Sequence, residues 1–167
     1  LGYAAAYGSE DVVQYYIDNG LDVNHVRNDG QSVVMLAAWG NTLNVVKRLV
    51  KAGADLSIKN NDGWTNLISA CNIKSDSVEY QRIDRPQLDV AKYLIDSGAS
   101  VQEESSDGLD ALTVLVQNKN DVTDLLKLLL SNGADVNHRT QKGATPLMFA
   151  RHPNVVEYLL KNGADIN

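Results

Sequence analysis

Five stretches of the chain repeat one pattern of hydrophobic and polar positions. Each stretch has apolar residues at its first, second, fifth and sixth positions and Gln, Lys or Glu at its third. The five stretches are 12–17, 45–50, 90–95, 125–130 and 155–160. Apolar residues with this spacing form one stripe along a helix, while the third position faces water. The pattern therefore predicts five amphipathic helices, each called here the second helix of a unit.

A glycine follows each predicted second helix and shows a regular spacing. The five are Gly20, Gly53, Gly98, Gly133 and Gly163, and successive members lie 33, 45, 35 and 30 residues apart. A base period of 33 residues explains these intervals, with an excess of 12, an excess of 2 and a deficit of 3. Glycine suits the left-handed residue that ends a helix. The chain is therefore an array of repeats.

A second glycine marks the start of a first helix in four of the units. Two residues after each such glycine comes a residue that caps helices well. The pairs are Gly30 and Ser32, Gly63 and Thr65, Gly108 and Asp110, and Gly143 and Thr145. The oxygens of the capping side chains can accept hydrogen bonds from N–H groups of the first helical turn. Short helices rich in small residues are predicted to follow, most clearly over 34–38 and 67–71.

These units resemble the ankyrin repeat. The resemblance is carried by Thr145-Pro146-Leu147, Ala37-Ala38, Val45-Val46-Lys47 and the segment 133–137, and it covers essentially the whole chain. It implies an all-α repeat solenoid of helix-turn-helix units joined by β-hairpin-like turns. We expect one domain over 1–167, with five units at about 1–28, 29–61, 62–106, 107–141 and 142–167. The first and last units are incomplete, so we expect either a longer parent protein or end units that act as imperfect caps.

The chain departs from the ankyrin pattern in three places. The third unit has 12 extra residues, about 74–85, which are read either as a tolerated surface insertion or as a contact loop. The histidine that the family has after Thr-Pro-Leu is replaced in every unit, so its hydrogen bond to threonine is absent. The replacing residues are Gly2, Met35, Ile68, Thr113 and Met148. The fifth unit is three residues short, and its first helix should end by Pro153.

Charge and composition argue against several classes of function. The chain has 15 basic and 21 acidic residues and a net charge of −6, whereas a nucleic-acid binder needs a basic face. No apolar run is long enough to cross a membrane. No metal-binding spacing of Cys and His, phosphate-binding loop or catalytic constellation is present. Cys71 is read as a small core residue. We therefore expect no catalysis, cofactor or small-molecule substrate.

Candidate contact residues follow from the resemblance, because ankyrin partners are most often held by the turn tips and the outward positions of the first helix. The candidates are Tyr7, Gln31, Trp39, Asp62, Trp64, Asn72, Leu109 and Lys142. Both tryptophans of the chain are among them, and tryptophan is enriched at binding hot spots. The alternative is that each aromatic ring packs locally over its neighbouring unit. At the position of Trp64 the other units have Gln31, Leu109 and Ala144, so the fold does not require a tryptophan there.

The prediction for function is a non-catalytic scaffold that binds another protein through its concave face. The alternative is a regulatory or targeting segment of a larger enzyme or secreted effector. Self-association through the uncapped ends is a third hypothesis, and we expect a monomer. The single cysteine and the lack of a visible secretory signal slightly favour the cytoplasm.

Overall fold

The computed structural model describes residues 1–72 and 88–166. Ten helices lie in these two ranges and alternate between a short first helix and a second helix of nine residues. They are α1 (Gly2–Ala6), α2 (Glu10–Asp18), α3 (Val33–Trp39), α4 (Leu43–Lys51), α5 (Asn66–Cys71), α6 (Leu88–Asp96), α7 (Ala111–Leu115), α8 (Thr123–Ser131), α9 (Pro146–Phe149) and α10 (Pro153–Lys161). The predicted fold class, an all-α repeat solenoid, is confirmed. The insertion at 74–85 lies outside the described residues, and the unit boundaries stay a prediction.

The stripe that the sequence pattern predicts is buried or half-buried in α4, α6 and α8, whereas Val12 and Tyr16 of α2 and Leu160 of α10 are exposed. Val45, Val46 and Leu49 of α4 are fully buried, and the corresponding residues of α8 are Leu125, Leu126 and Leu129. At the third position of the pattern, Lys127 is exposed and Lys47 is half-buried. Each Nζ lies over the ring of a tyrosine on the second helix of the next unit. The distance is 5.7 Å from Lys47 to the ring centroid of Tyr93 and 5.9 Å from Lys127 to that of Tyr158.

Three of the four predicted caps of first helices are present. The side chains of Ser32, Thr65 and Asp110 accept hydrogen bonds from the N–H groups of Met35, Ile68 and Thr113, at 3.2, 3.2 and 2.7 Å. The prediction is wrong for Thr145, whose side chain makes no capping bond. The first turn of α9 is tighter, because the N–H of Met148 donates to the Thr145 carbonyl at 3.0 Å instead.

The shortened fifth unit places two prolines at helix starts. Helix α9 begins at Pro146 and ends at Phe149, and α10 begins at Pro153. The prediction that the first helix ends by Pro153 is confirmed. Proline lacks an N–H, and the N–H of the first helical position has no partner within a helix in any case. His152 caps α10, since its Nδ1 accepts from the N–H of Asn154 at 3.3 Å.

The turns of successive units are joined by backbone hydrogen bonds. The carbonyls of Asp29, Asp62 and Asp107 accept from the N–H groups of Asn61, Ser106 and Gln141, at 3.1, 2.8 and 3.3 Å. Glycine is required next to these carbonyls because the backbones approach closely. At Gly63 φ is +78°, and a Cβ would lie 2.7 Å from the N of Ser106. At Gly143 φ is +75°, but a Cβ would have nothing within 4 Å.

A buried polar contact also joins the second and third units. The hydroxyl of Ser32 donates to Oδ1 of Asn66 at 3.3 Å, and Nδ2 of Asn66 donates to the carbonyl of Leu56 at 3.0 Å. Asn66 is fully buried, so these bonds satisfy groups that water cannot reach. Thr113 and Thr145 contrast with it, because their buried Oγ1 atoms have no partner within the described chain. Thr113 replaces the histidine of the ankyrin pattern, whose hydrogen bond to threonine is predicted to be absent, and its hydroxyl makes no such bond to a described residue.

Amide side chains of two second helices bond to carboxylates of the preceding units. Nδ2 of Asn154 donates to Oδ2 of Asp121 at 2.6 Å, and Nδ2 of Asn44 donates to Oε1 of Glu10 at 2.7 Å. The Thr123 hydroxyl, the Asn154 amide and the Thr123 N–H lower the pKa of Asp121 to about 2. The Asn44 amide is the main reason that the pKa of Glu10 is lowered, and Arg48 adds to the effect.

Replacing Gly63 with alanine should destabilise the chain more than replacing Gly143. Both substitutions place an L-residue at positive φ, which costs about 1 kcal/mol. Only Gly63→Ala also forces two backbones apart, for which we expect about 1 kcal/mol or more in addition. Urea unfolding followed by circular dichroism measures both variants. Equal losses of unfolding free energy would contradict the close approach of the two turns.

Thr113→Val should stabilise the protein by about 1 kcal/mol, because it removes a buried hydroxyl without a partner while keeping the shape of the side chain. Thr65→Val is the matched control and should cost about 1 kcal/mol, because that hydroxyl oxygen caps α5. Thermal and urea unfolding compare the two variants with the wild type. If both substitutions destabilise alike, the Thr113 hydroxyl has a partner in solution.

Asn154→Ala should raise the pKa of Asp121 and leave that of Glu10 unchanged, whereas Asn44→Ala should do the reverse. Each variant removes the amide that stabilises one ionised carboxylate. Carboxyl-carbon NMR titrations read both groups in each variant. Because the folded pKa of Asp121 is depressed to about 2, its contribution to stability is present above its unfolded pKa of about 3.9 and is lost as the pH falls through about 2. Asn154→Ala should therefore weaken resistance to acid within that window.

Candidate functional site

Five of the eight predicted contact residues line one groove. They are Gln31, Trp39, Asp62, Trp64 and Asn72. The groove has a volume of about 450 Å³ and lies between the second and third units. Its other lining residues, which the sequence prediction missed, are Arg27, Met35, Leu36, Asn60 and Ser69. The repeat register offered a signal for two of them, because Arg27 and Asn60 hold the same position, four residues before Gln31 and Trp64.

Hydrogen bonds within the turn hold the backbone of Trp64 in place. The N–H of Asn60 donates to the Trp64 carbonyl at 3.0 Å. Oδ1 of Asn60 accepts from the N–H groups of Trp64 and Asp62, at 2.8 and 3.0 Å. In the preceding unit the N–H of Arg27 donates to the Gln31 carbonyl at 3.0 Å. The two turns therefore present Gln31 and Trp64 from equivalent, hydrogen-bonded positions.

The opposite side of the groove comes from the ends of two first helices. Trp39 is the last residue of α3, and Asn72 is the residue directly after α5. Both side chains are half-buried, and so is Leu36 one turn earlier in α3. Small buried residues such as Ala37 and Ala70 allow α3 and α5 to pack side by side. The predicted pairing of turn tips with first-helix ends is therefore realised between these two units.

Trp64 combines the two roles that the sequence left open. Its ring is half-buried and packs against the hydrophobic core that includes Leu67, Ile68 and Leu112. It also lines the groove together with Trp39. A ring anchored on one side by the core is held rigidly, so it loses little conformational entropy when another surface covers it. Local packing and surface presentation thus describe two sides of the same side chain.

The other three predicted residues do not line this groove. Tyr7 lies just after α1, and its ring stacks on that of Tyr3 with centroids 5.8 Å apart and planes 9° apart. Leu109, the equivalent of Trp64 in the fourth unit, is half-buried against the core. Lys142 is exposed at the tip of the turn that begins the fifth unit. The lining of this groove therefore contains both tryptophans and not Tyr7.

The charges at the rim of the groove are unevenly compensated. Nη2 of Arg27 lies 3.6 Å from Oδ2 of Asp29, so a carboxylate already balances this cation. Asp62 is exposed, and no described residue lies within hydrogen-bonding or ion-pairing distance of its carboxylate. The same holds for Asp107 at the next turn tip. The rim thus carries a balanced pair at one end and uncompensated negative charge at the other.

Reactive groups are scarce in the part of the chain that the structure describes. No group of three or more His, Cys, Asp or Glu side chains there could hold a metal ion. Cys71 is buried, and its burial, with a smaller contribution from the charge of Asp110, raises the pKa of the thiol far above its usual range. A thiol in that state is a poor nucleophile. No helix within 1–72 or 88–166 is long and apolar enough to span a membrane.

Comparison with known proteins shows the family directly. A family model described as ankyrin repeats in three copies matches residues 1–80 and 82–167. A putative ankyrin repeat protein of Acanthamoeba polyphaga mimivirus is 25% identical over 97% of this chain and 20% of its own length. An ankyrin repeat domain-containing protein of Myxoma virus is 29% identical over 92% of this chain and 32% of its own length. A protein named L-asparaginase from Dirofilaria immitis is 27% identical over 99% of this chain and 26% of its own length.

The chain thus spans between a fifth and a third of the length of these relatives. The matched residues include every described helix, the glycines after the second helices, the glycines of the turns and all of the residues that line the groove. This chain is a member of the ankyrin-repeat family.

Proposed function

We propose that this chain is a non-catalytic interaction module, and that it binds another protein through the groove between its second and third units. Ankyrin repeats are generally protein–protein interaction modules. The observation that supports the proposal best is that the only two tryptophans of the chain line the same groove. The concave side of a stacked array is also the surface that such proteins offer to partners.

The groove has the composition of a small interface. Interface cores are enriched in aromatic residues and Met and poor in charge, and polar groups surround them. Here the half-buried Leu36, Trp39 and Trp64 supply apolar surface, and amide and charged side chains stand around it. The turn hydrogen bonds and the core contact of Trp64 fix this surface before binding. Such preorganisation lowers the entropic cost of association. We propose that the module acts as a monomer.

A second candidate is that the module targets or regulates a larger protein that contains it. The relatives support this alternative, because the matched segment is only part of each of them and one is named as an enzyme. Both proposals use the same groove. They differ in whether binding is the whole function of the protein or directs a further activity on the same chain. Determining the full-length parent sequence distinguishes them, since a catalytic domain on the same chain would favour the second.

Replacing both groove tryptophans should abolish partner capture while the fold is kept. Removing a tryptophan hot spot weakens binding by about 2 kcal/mol or more, so the double variant Trp39→Ala, Trp64→Ala should lose captured protein almost completely. The measurement is affinity capture from native lysate, quantified by mass spectrometry. Tyr15→Ala is the matched control, because Tyr15 is 66% exposed on α2 away from the groove. Undiminished capture by the double variant would contradict the proposal.

The single variants separate binding from packing. Trp64 contacts the core, so Trp64→Ala should lower the free energy of unfolding as well as binding. Circular dichroism and urea unfolding of each variant measure the stability directly. A collapse of helical content in both single variants would show that the rings serve the fold rather than a partner.

A further inference from the structure

We propose that the groove between the second and third units receives a short extended segment of the partner with an arginine at its centre. This inference rests on the proposed function, since it names the chemistry that the same groove recognises. A volume of about 450 Å³ is within the range of sites that enclose small ligands, so the groove suits a few residues rather than a broad surface.

The two indoles favour a cation with a long apolar stem. Tryptophan is the aromatic side chain that attracts cations best, and arginine is the cation found most often over aromatic faces. The methylenes of an arginine side chain can lie along apolar surface while its guanidinium stays near water. Half-buried Leu36 supplies such surface in the lining of the groove, whereas Met35 is only 2% exposed. Trp39 and Trp64 supply the aromatic faces.

The charges of the rim select a basic segment over an acidic one. Arg27 is balanced by Asp29 at 3.6 Å, so it does not repel an incoming cation strongly. Asp62 has a carboxylate without a described partner and lines the groove itself. Asp107, at the next turn tip, extends the negative charge beyond Asp62. With a net charge of −6, the whole chain attracts a basic segment and repels an acidic one.

The polar lining favours arginine over lysine or a purely apolar anchor. Gln31 and Asn72, whose side chains carry amide oxygens, line the groove with the tryptophans, and Asp62 adds a carboxylate. A guanidinium offers five N–H donors in a plane, which can stack on an indole and bond to a carboxylate at the same time. An ammonium is a compact point charge that does not stack in this way. A purely apolar anchor would cover the polar groups without replacing their bonds to water.

The experiment is selection from a library of random heptapeptides on the immobilised wild-type chain, with removal of peptides that also bind the double variant Trp39→Ala, Trp64→Ala. Selected peptides are then synthesised and titrated in solution. Because both tryptophans of the chain line this groove, intrinsic fluorescence reports its occupancy. Asp62→Asn tests the carboxylate. Asp11→Asn, an equal change of charge at an exposed residue of α2, is the matched control.

We expect the selected peptides to share an arginine. Replacing it with citrulline, which keeps the shape and removes the charge, should weaken binding about tenfold, and replacement with lysine should weaken it less. Asp62→Asn should weaken binding about fivefold, as loss of an exposed ion pair does, whereas Asp11→Asn should have little effect.

Two results would overturn the inference in different ways. The first is selection of peptides that depend on the tryptophans but have an apolar or acidic centre and bind Asp62→Asn as tightly as wild type. This result would contradict the proposed arginine and leave the proposed function standing. Failure to select any peptide that depends on the tryptophans, with the double variant still folded by circular dichroism, would remove the groove as a binding site and the arginine with it.

Discussion

The backbone hydrogen bond between successive turns is the constraint on which the rest of the structure depends. Each aspartate carbonyl at a turn tip accepts from an N–H in the turn of the next unit. The bond forms only because the following residue is a glycine at positive φ, with no Cβ to hold the two backbones apart. Since the bonds join backbone atoms, they place few demands on the side chains around them. The spacing of the units is therefore fixed, while the residue that directly follows each turn glycine is free to vary.

That freedom explains why a tryptophan can stand at a turn. The position directly after the turn glycine is occupied by Gln31, Trp64, Leu109 and Ala144 in four units. In all four, the carbonyl of this residue accepts a hydrogen bond from the N–H of the residue four positions earlier. The fold accepts each of them, so the choice at each unit determines the local surface. Trp64 uses one side of its ring to pack on the core and the other to line the groove. The groove is thus an addition to a scaffold that would form without it.

Much of the fold could be predicted from the sequence because the residues that determine it recur with a regular period. Amphipathic stripes, glycines and capping residues recur at fixed spacing, and Val45, Leu125 and Ser32 lie where those signals place them. Thr145 is a position that these signals do not determine. It has the sequence of a cap, but the tight first turn of α9 uses a backbone carbonyl in place of its side chain. A local hydrogen-bond choice of this kind depends on helix length and packing rather than on residue type.

The candidate site was only partly predictable for a related physical reason. Repeat register correctly brought Gln31 and Trp64 to the same side as Trp39 and Asn72, because it fixes which positions are equivalent. It could not rank the units, since every unit offers the same positions. The groove forms between the second and third units, where buried Asn66 bonds to Ser32 and to the Leu56 carbonyl across the seam. The later seam beside Thr113 and Thr145 has two buried hydroxyls without described partners. The groove that both tryptophans line therefore lies between two units that a paired buried polar contact joins, and such rigid support would lower the entropic cost of the binding that we propose.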